Sequence, residues 1–206
     1  MSDTKPELVG FVGGPSSGKT LAALELVAQL KLRGYDARYL EEYATEYIEQ
    51  TGPPIHYMEQ FALADGQEEM EQRVLLPQTG KMRDFIVTGG TSFAAAAYLR
   101  FYPPALDNEA TVRKYHYALK KLDDRARTRL IPSYGAIFFT VLEHGFRSDS
   151  VRWQGSEADA LKIERKLRAY LDENRVPYRE LSGSLEERMD TALKVLFAKQ
   201  NKDAPQ

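Results

Sequence analysis

An eight-residue segment near the start of the chain constrains its fold and chemistry more than any other feature. It reads Gly13-Gly14-Pro15-Ser16-Ser17-Gly18-Lys19-Thr20 and matches the phosphate-loop pattern G-x-x-x-x-G-K-[ST]. Glycines let the backbone turn tightly and aim N–H groups at an anion, and the start of a helix adds partial positive charge. Lys19 is expected to reach the outer phosphates, and the Thr20 hydroxyl to bind Mg²⁺. The eight residues and Leu21 therefore form a candidate nucleoside triphosphate site.

The flanking segments agree with this motif. An apolar run at residues 8–12 precedes it, and a helical run at residues 21–30 follows it and ends at Gly34. Strands separated by helices indicate parallel pairing, so we expect an α/β fold with a five-stranded parallel sheet between two helical layers. The predicted strands are residues 8–12, 36–40, 84–88, 134–142 and 176–181. The other predicted helices are residues 56–76, 92–102, 108–130, 157–174 and 185–199.

Composition excludes several classes of site. The 206 residues include no cysteine, which rules out disulfides, thiolate metal sites and a cysteine nucleophile. The net charge is −2, so bulk attraction to nucleic acid or membrane is not expected. No apolar run is long enough to cross a bilayer, and the first residues lack the apolar core of a signal peptide. These features predict a cytoplasmic protein without a membrane partner.

Phosphate loops occur in switch GTPases, motor ATPases and small kinases, so the motif alone does not name a reaction. The sequence contains no N-K-x-D segment to recognise guanine. It is also short for a motor ATPase with a sensor domain. A small kinase is the class that remains.

The segment Glu-Glu-Tyr-Ala-Thr-Glu-Tyr at residues 41–47 follows the second predicted strand. Together with the phosphate loop, it resembles the nicotinamide riboside kinase-like P-loop proteins, including bacteriophage nucleoside and nucleotide kinase-like proteins. The resemblance implies one P-loop kinase domain over residues 1–206, with the strand order 2-3-1-4-5 of nucleoside monophosphate kinases. It also implies ATP and Mg²⁺ as cofactors, a lid at about residues 143–156, and the host cytoplasm as location if a phage encodes the protein. Residues 106–133 have no counterpart and form a basic helical insertion. The matching segments are residues 14–20, 41–47 (Glu-Glu-Tyr-Ala-Thr-Glu-Tyr), 65–67, 84–92, 152–158 and 176–183.

One position departs from this family pattern. The third strand normally ends in an aspartate that helps to hold Mg²⁺, whereas Gly90 stands at the matching position here. Three explanations are open. Glu41 or Glu42 could take over the role, Thr91 or Ser92 could hold a metal-bound water, or the protein could bind nucleotide without transferring phosphate.

The candidate catalytic residues are Lys19, Glu41, Glu42, Arg147 and Arg152. Phosphoryl transfer needs positioning, charge neutralisation and a carboxylate near the acceptor hydroxyl. The two glutamates follow the second strand and would reach the crevice at the carboxyl ends of the strands. Neighbouring strand residues point to opposite sides, so we expect one of the two to face the site, with Glu41 slightly preferred. The two arginines lie in the lid, where they could meet the transferring phosphoryl group or remain solvated.

Two other groups of polar residues could be either functional or simply solvated at the surface. Asp65 and Gln67 could contact the acceptor or simply be solvated. The predicted helix over residues 113–129 has a local net charge of +5 and interleaved aromatic residues, so it could bind a polyanion such as DNA or be a solvated face. Its charged residues are Arg113, Lys114, Lys120, Lys121, Asp123, Asp124, Arg125, Arg127 and Arg129.

Three functions are consistent with these features. The leading hypothesis is an ATP-dependent kinase that transfers the γ-phosphoryl group to a nucleoside or nucleotide-type acceptor. A second is a kinase acting on a hydroxymethylated pyrimidine, 5-hydroxymethyluracil, in phage DNA, with the basic helix as the DNA-binding strip. A third is a nucleotide-binding regulatory protein with little transfer activity, suggested by Gly90.

Overall fold

A five-stranded parallel sheet forms the centre of the protein, as seen in a computed structural model that describes residues 6–52, 56–76, 82–143, 145 and 156–200. The strands are β1 (Glu7–Gly13), β2 (Ala37–Leu40), β3 (Phe85–Thr88), β4 (Ala136–Thr140) and β5 (Arg179–Leu181). Their order across the sheet is β2-β3-β1-β4-β5 and every pair is parallel. The predicted fold class and strand order are confirmed.

Helices cover both faces of this sheet. They are α1 (Lys19–Leu32), α2 (Tyr43–Thr51), α3 (Glu59–Leu75), α4 (Ala94–Phe101), α5 (Glu109–Arg125), α6 (Glu157–Glu173) and α7 (Leu185–Gln200). Successive β1 residues face opposite layers, as strand geometry requires. Val9 and Phe11 pack with α1 and α7, whereas Leu8 and Val12 pack with α3 to α6. Within the described residues, no helix is sufficiently long and apolar to pass through a membrane.

The helix α2 was not predicted. Tyr43 and Tyr47, one helical turn apart, pack against the core, but no α2 residue is fully buried. The helix ends at Gly52, whose φ of 76° favours glycine and whose N–H donates to Ile48 O.

Several predicted elements are longer than the observed ones, and two of these differences have an identifiable cause. The long helix expected over residues 108–130 is regular only to Arg125, and residues 126–130 form a π-helical turn. The Thr128 hydroxyl donates to Asp124 O at 2.7 Å and so competes for the acceptor of an α-helical bond. The fifth strand begins at Arg179 rather than at residue 176, because Pro177 has no N–H for a ladder bond.

Candidate active site

The phosphate loop connects β1 to α1 at the middle of the sheet, as predicted. Gly18 precedes α1 with a φ of 84°, a conformation that favours glycine. A Cβ at Gly13 would lie 2.5 Å from both Thr140 O and Thr140 Oγ1, so no larger residue fits there. Gly18 thus permits a left-handed turn, and Gly13 permits close packing of the loop against Thr140.

Lys19 is folded across the loop that precedes it. Its Nζ donates to Gly13 O at 3.0 Å and to Gly14 O at 3.1 Å. The ammonium group therefore lies over the concave side of the loop, where a bound phosphate would place its negative charge. Thr20 follows on the exposed first turn of α1.

Neighbouring elements hold the loop in place. Ser17 Oγ and Thr140 Oγ1 are hydrogen-bonded at 2.8 Å, and Thr140 Oγ1 donates to Val12 O at 3.3 Å. On the α6 side, a Cβ at Gly14 would lie 3.1 Å from Glu164 Cβ. The Glu164 carboxylate in turn accepts a bond from Leu142 N at 2.7 Å. The loop is thus supported by both β4 and α6.

Two side chains from the end of β2 cross the end of β3. Glu42 lies directly over Gly90, where an added Cβ would be 2.6 Å from Glu42 Cγ. Tyr39 lies over Gly89, where an added Cβ would be 2.8 Å from the Tyr39 hydroxyl. The glycine pair therefore leaves room for a carboxylate at the position where the family pattern has an aspartate on the third strand.

Tyr39 was missed by sequence reasoning. Its side chain lies close to that of Thr20, the predicted metal ligand. Burial, together with the charges of Glu41 and Glu42, raises the pKa of Tyr39, so the hydroxyl keeps its proton. The sequence did contain one signal, the Gly89-Gly90 pair after β3. Adjacent glycines at a strand end indicate that a neighbouring side chain packs closely against the backbone there.

The two candidate glutamates have different surroundings. Glu42 is half-buried and caps the start of α2, whereas Glu41 is exposed. The described contacts bring Glu42, Tyr39 and Thr20 to one edge of the sheet.

A buried polar network lies beneath this edge. The Glu71 side chain accepts from Ser92 Oγ at 3.0 Å and from the Tyr134 hydroxyl at 2.5 Å. Burial raises the pKa of Glu71 to about 7, although hydrogen bonds from Tyr134, Ser92 and Gln67 oppose the shift. Ser92 is therefore engaged in this network. The Thr91 hydroxyl is buried and has no hydrogen-bond partner among the described residues.

Asp65 and Gln67 differ, because Gln67 is buried whereas Asp65 is exposed and forms a surface ion pair. Gln67 is buried, accepts from Tyr43 N at 2.8 Å and donates to Thr88 Oγ1 at 3.2 Å, which links α2 to β3. Asp65 forms an ion pair with Arg125 of α5. The two predicted lid arginines, Arg147 and Arg152, lie outside the described residues.

The basic helix is partly neutralised by its neighbours. Glu68 of α3 pairs with Arg125 Nη2 at 2.5 Å and with Arg129 Nε at 2.6 Å. Arg113 and Arg127 pair with acidic residues of the same helix, Glu109 and Asp124. Lys114, Lys120 and Lys121 are exposed and form no ion pair within the described part of the chain. Lys121 Nζ lies 5.5 Å from the centre of the exposed Tyr117 ring.

The site suits Mg²⁺ bound together with phosphates rather than a metal caged by protein. Across the described part of the chain, no cluster of three or more histidine and carboxylate side chains is placed to hold a metal ion. Mg²⁺ is usually held by one or two protein groups plus substrate phosphates and waters. The Thr20 hydroxyl and the Glu42 carboxylate, both at the same sheet edge as the phosphate loop, fit that pattern.

Comparison with solved structures confirms the P-loop kinase fold that the sequence resemblance predicted. A thymidylate kinase from Candida albicans is 14% identical with a TM-score of 0.68, and the match covers 97% of this chain and 95% of that chain. A deoxyadenosine kinase from M. mycoides is 12% identical with a TM-score of 0.57, covering 95% of this chain and 99% of that chain. A NadR protein in complex with NR is 16% identical with a TM-score of 0.65. That match covers 94% of this chain but 50% of the NadR chain, so this chain spans half its length.

Sequence comparisons place the chain in a family. No curated protein matches it significantly. A family model described as an AAA domain matches residues 8–188, from β1 through the phosphate loop to the first turns of α7. Since that match includes most of the chain, the protein belongs to the AAA domain family.

Proposed function

We propose that this protein is an ATP-dependent kinase that transfers the γ-phosphoryl group to a nucleoside or nucleotide-type acceptor. The proposal treats residues 1–206 as one P-loop domain. The observation that carries it is the Glu42 carboxylate over Gly90, at the end of the strand next to the phosphate loop. A kinase needs such a carboxylate beside the transferred group, whereas a protein that only binds nucleotide does not.

Each residue of the site has a defined role in this proposal. The loop N–H groups and Lys19 hold the β- and γ-phosphates, and Lys19 neutralises charge that develops during transfer. Thr20 and Glu42 would hold Mg²⁺, which supplies further charge neutralisation at the phosphates. Tyr39, whose side chain lies close to that of Thr20, would help to orient the Thr20 hydroxyl.

The transfer step is an in-line displacement. The acceptor hydroxyl oxygen forms a bond to the γ-phosphorus while the bond from that phosphorus to the β–γ bridging oxygen breaks, which releases ADP. Glu42, which lies over Gly90 at the end of the strand next to the phosphate loop, takes the acceptor proton. Arg147 and Arg152 remain proposed partners of the transferring group.

The acceptor class is supported by the structural neighbours. Two of them are named as kinases of a nucleoside and a nucleotide, deoxyadenosine and thymidylate. At 12 to 14% identity they indicate a class of acceptor rather than a particular compound.

A polymeric acceptor is the second candidate. The exposed Lys114, Lys120 and Lys121 around Tyr117 favour 5-hydroxymethyluracil in phage DNA, because phosphates pair with lysines and bases stack on aromatic rings. The ion pairs of Arg125 and Arg129 argue against it, since they reduce the charge offered to DNA. The position of Glu42 argues against the third hypothesis, a regulatory protein without transfer activity.

The decisive experiment follows labelled γ-phosphate from ATP into a panel of nucleosides, nucleotides, and normal or base-hydroxymethylated DNA. We expect one monomeric acceptor to be labelled, and Lys19→Ala to abolish the labelling. Labelling of DNA alone would establish the second candidate. Nucleotide binding without labelling of any acceptor would contradict the kinase proposal.

A further inference from the structure

A buried arginine lies behind the phosphate loop, on the first turn of α7. Arg188 is 3% exposed, although arginine is rarely buried to this degree. Its guanidinium donates to backbone carbonyls of three separate segments. Nη1 reaches Ser17 O at 2.7 Å, Nη2 reaches Val141 O at 2.9 Å, and Nε reaches Gly183 O at 3.1 Å. The phosphate loop, the end of β4 and the turn before α7 therefore meet at one side chain.

One carboxylate accompanies this buried charge among the described contacts. Glu143 Oε2 lies 3.1 Å from Arg188 Nη2 and also accepts from Gly183 N at 2.6 Å. Burying a guanidinium is costly unless its donors are satisfied, and an apolar side chain could fill the same space at lower cost. Only a planar guanidinium presents donors in the directions of all three carbonyls, whereas a lysine ammonium cannot span them.

The bond to Ser17 O determines the direction of a phosphate-binding group. In a planar trans peptide the carbonyl of one residue and the N–H of the next point to opposite sides. Holding Ser17 O on the outside of the loop therefore turns the Gly18 N–H toward the inside, where loop N–H groups bind phosphate. Gly18 has a φ of 84°, and a Cβ there would lie 3.4 Å from Arg188 Nη1. Because glycine lacks a side-chain preference for one orientation, this peptide needs an external restraint.

We propose that Arg188 is a positioning residue of the nucleotide site, which fixes the Ser17–Gly18 peptide so that the Gly18 N–H faces the phosphates. The inference rests on the proposed function only in requiring that the loop binds nucleotide phosphates. It does not depend on the acceptor or on transfer.

The test compares Arg188→Lys with Arg100→Lys, a control whose guanidinium bonds Asp123 and Glu173 instead of the loop. ADP affinity is measured by calorimetry, and KM is measured separately for ATP and for the acceptor. We expect Arg188→Lys to weaken ADP binding by about tenfold or more, because the Ser17 carbonyl loses a charged partner. Its KM for ATP should rise in parallel while KM for the acceptor stays within about twofold. Arg100→Lys should lower thermal stability without changing ADP affinity.

A second measurement uses the unmodified protein, in case Arg188→Lys fails to fold. In ¹⁵N-labelled wild-type protein, Mg²⁺ and ADP should shift the NMR signals of both the Gly18 amide and the Arg188 Nε–H. A Gly18 shift without any response at Arg188 would overturn the inference, as would unchanged ADP affinity in a folded Arg188→Lys protein. Sensitivity of ADP binding to Arg188 in a protein that transfers no phosphate would support the inference and contradict the kinase proposal. Failure of the wild type to bind any nucleotide would overturn both.

Discussion

Gly89 and Gly90 show how single residues at a strand end can determine which side chains reach a site. Neither glycine has a positive φ, so neither is needed for a left-handed turn. Both glycines are instead needed for close packing. Tyr39 occupies the space where a Cβ at Gly89 would lie, and Glu42 occupies the space where a Cβ at Gly90 would lie. In the proposed site, Glu42, which follows the second strand, takes the place of the carboxylate that the family pattern has on the third strand.

This exchange of positions predicts the outcome for three single variants and one double variant. Glu42→Gln should lower kcat by about 10²-fold or more, because the base and metal partner is lost, whereas Glu41→Gln should change it little. Gly90→Asp should be destabilised and inactive, because its Cβ would lie 2.6 Å from Glu42 Cγ. Combining Gly90→Asp with Glu42→Ala removes the clash and should restore part of the activity. Steady-state kinetics and thermal unfolding of each variant provide the measurement, and a double variant no better than Gly90→Asp would contradict the exchange.

Glu71 predicts a specific dependence of stability on pH. Burial raises its pKa to about 7, whereas in the unfolded chain a glutamate titrates near 4.3. Between these values the folded protein binds a proton that the unfolded chain has released, so the free energy of unfolding falls as the pH rises. The loss should approach roughly 4 kcal/mol by about pH 8.

Glu71→Gln tests this assignment, because glutamine resembles the protonated acid and does not titrate. Urea unfolding of both proteins between about pH 5 and pH 8 should show the variant gaining stability relative to wild type as the pH rises. Parallel curves would mean that Glu71 does not control this part of the pH dependence.

Some residues of the site could be predicted from sequence and others could not. Lys19 and Thr20 belong to a contiguous motif whose spacing is fixed by the loop itself. Tyr39, Glu71 and Arg188 are brought to the site by strand pairing and helix packing, and their spacing along the chain carries no such pattern. Arg188, for example, bonds Ser17 from a position 171 residues away.

Among the secondary-structure elements, α2 was not predicted from the sequence because it is short and partly exposed. Its position is set by α3, where Gly66 leaves space for the Tyr43 ring and Gln67 accepts the Tyr43 N–H. These are contacts between segments, so the local pattern of residues 43–51 gave a weak signal. Gly66 and Gln67 of α3 are thereby explained as the contact point for α2.

The helix α5 has two kinds of basic residue, which should respond differently to charge reversal. Arg125→Glu would bring a carboxylate against Asp65 and Glu68 and should cost about 2 kcal/mol or more. Lys120→Glu and Lys121→Glu alter exposed side chains and should change stability by less than about 0.5 kcal/mol. Chemical denaturation distinguishes these outcomes.

The lysine variants are therefore the suitable test of DNA as acceptor. If DNA is phosphorylated, Lys120→Glu with Lys121→Glu should reduce its use, and DNA binding should weaken steeply with salt. Transfer to nucleosides or nucleotides should be unchanged. Undiminished use of DNA by the double variant would exclude α5 as its binding strip.

For the whole molecule, the alternation of apolar strands and helices was sufficient to predict the fold class. The order of the strands came from the resemblance, because strand pairing depends on how the crossovers pack. The order places β1 at the centre of the sheet, with β3 on one side and β4 on the other. The phosphate loop at the end of β1 contacts Thr140 of β4 and both helical layers, through α6 on one face and Arg188 of α7 on the other.

This central position predicts that a ligand at the loop stabilises the whole protein rather than one region. Nucleotide that binds only the folded state should add about 2.7 kcal/mol to the free energy of unfolding at a hundredfold excess over Kd. For a chain of this size that corresponds to a rise in Tm of roughly 5 to 10 °C, which thermal unfolding with Mg²⁺ and ADP would measure. Lys19→Ala should show little of this rise at the same concentrations, because the cation over Gly13 O and Gly14 O is gone. An equal rise in the variant would place the nucleotide elsewhere on the protein.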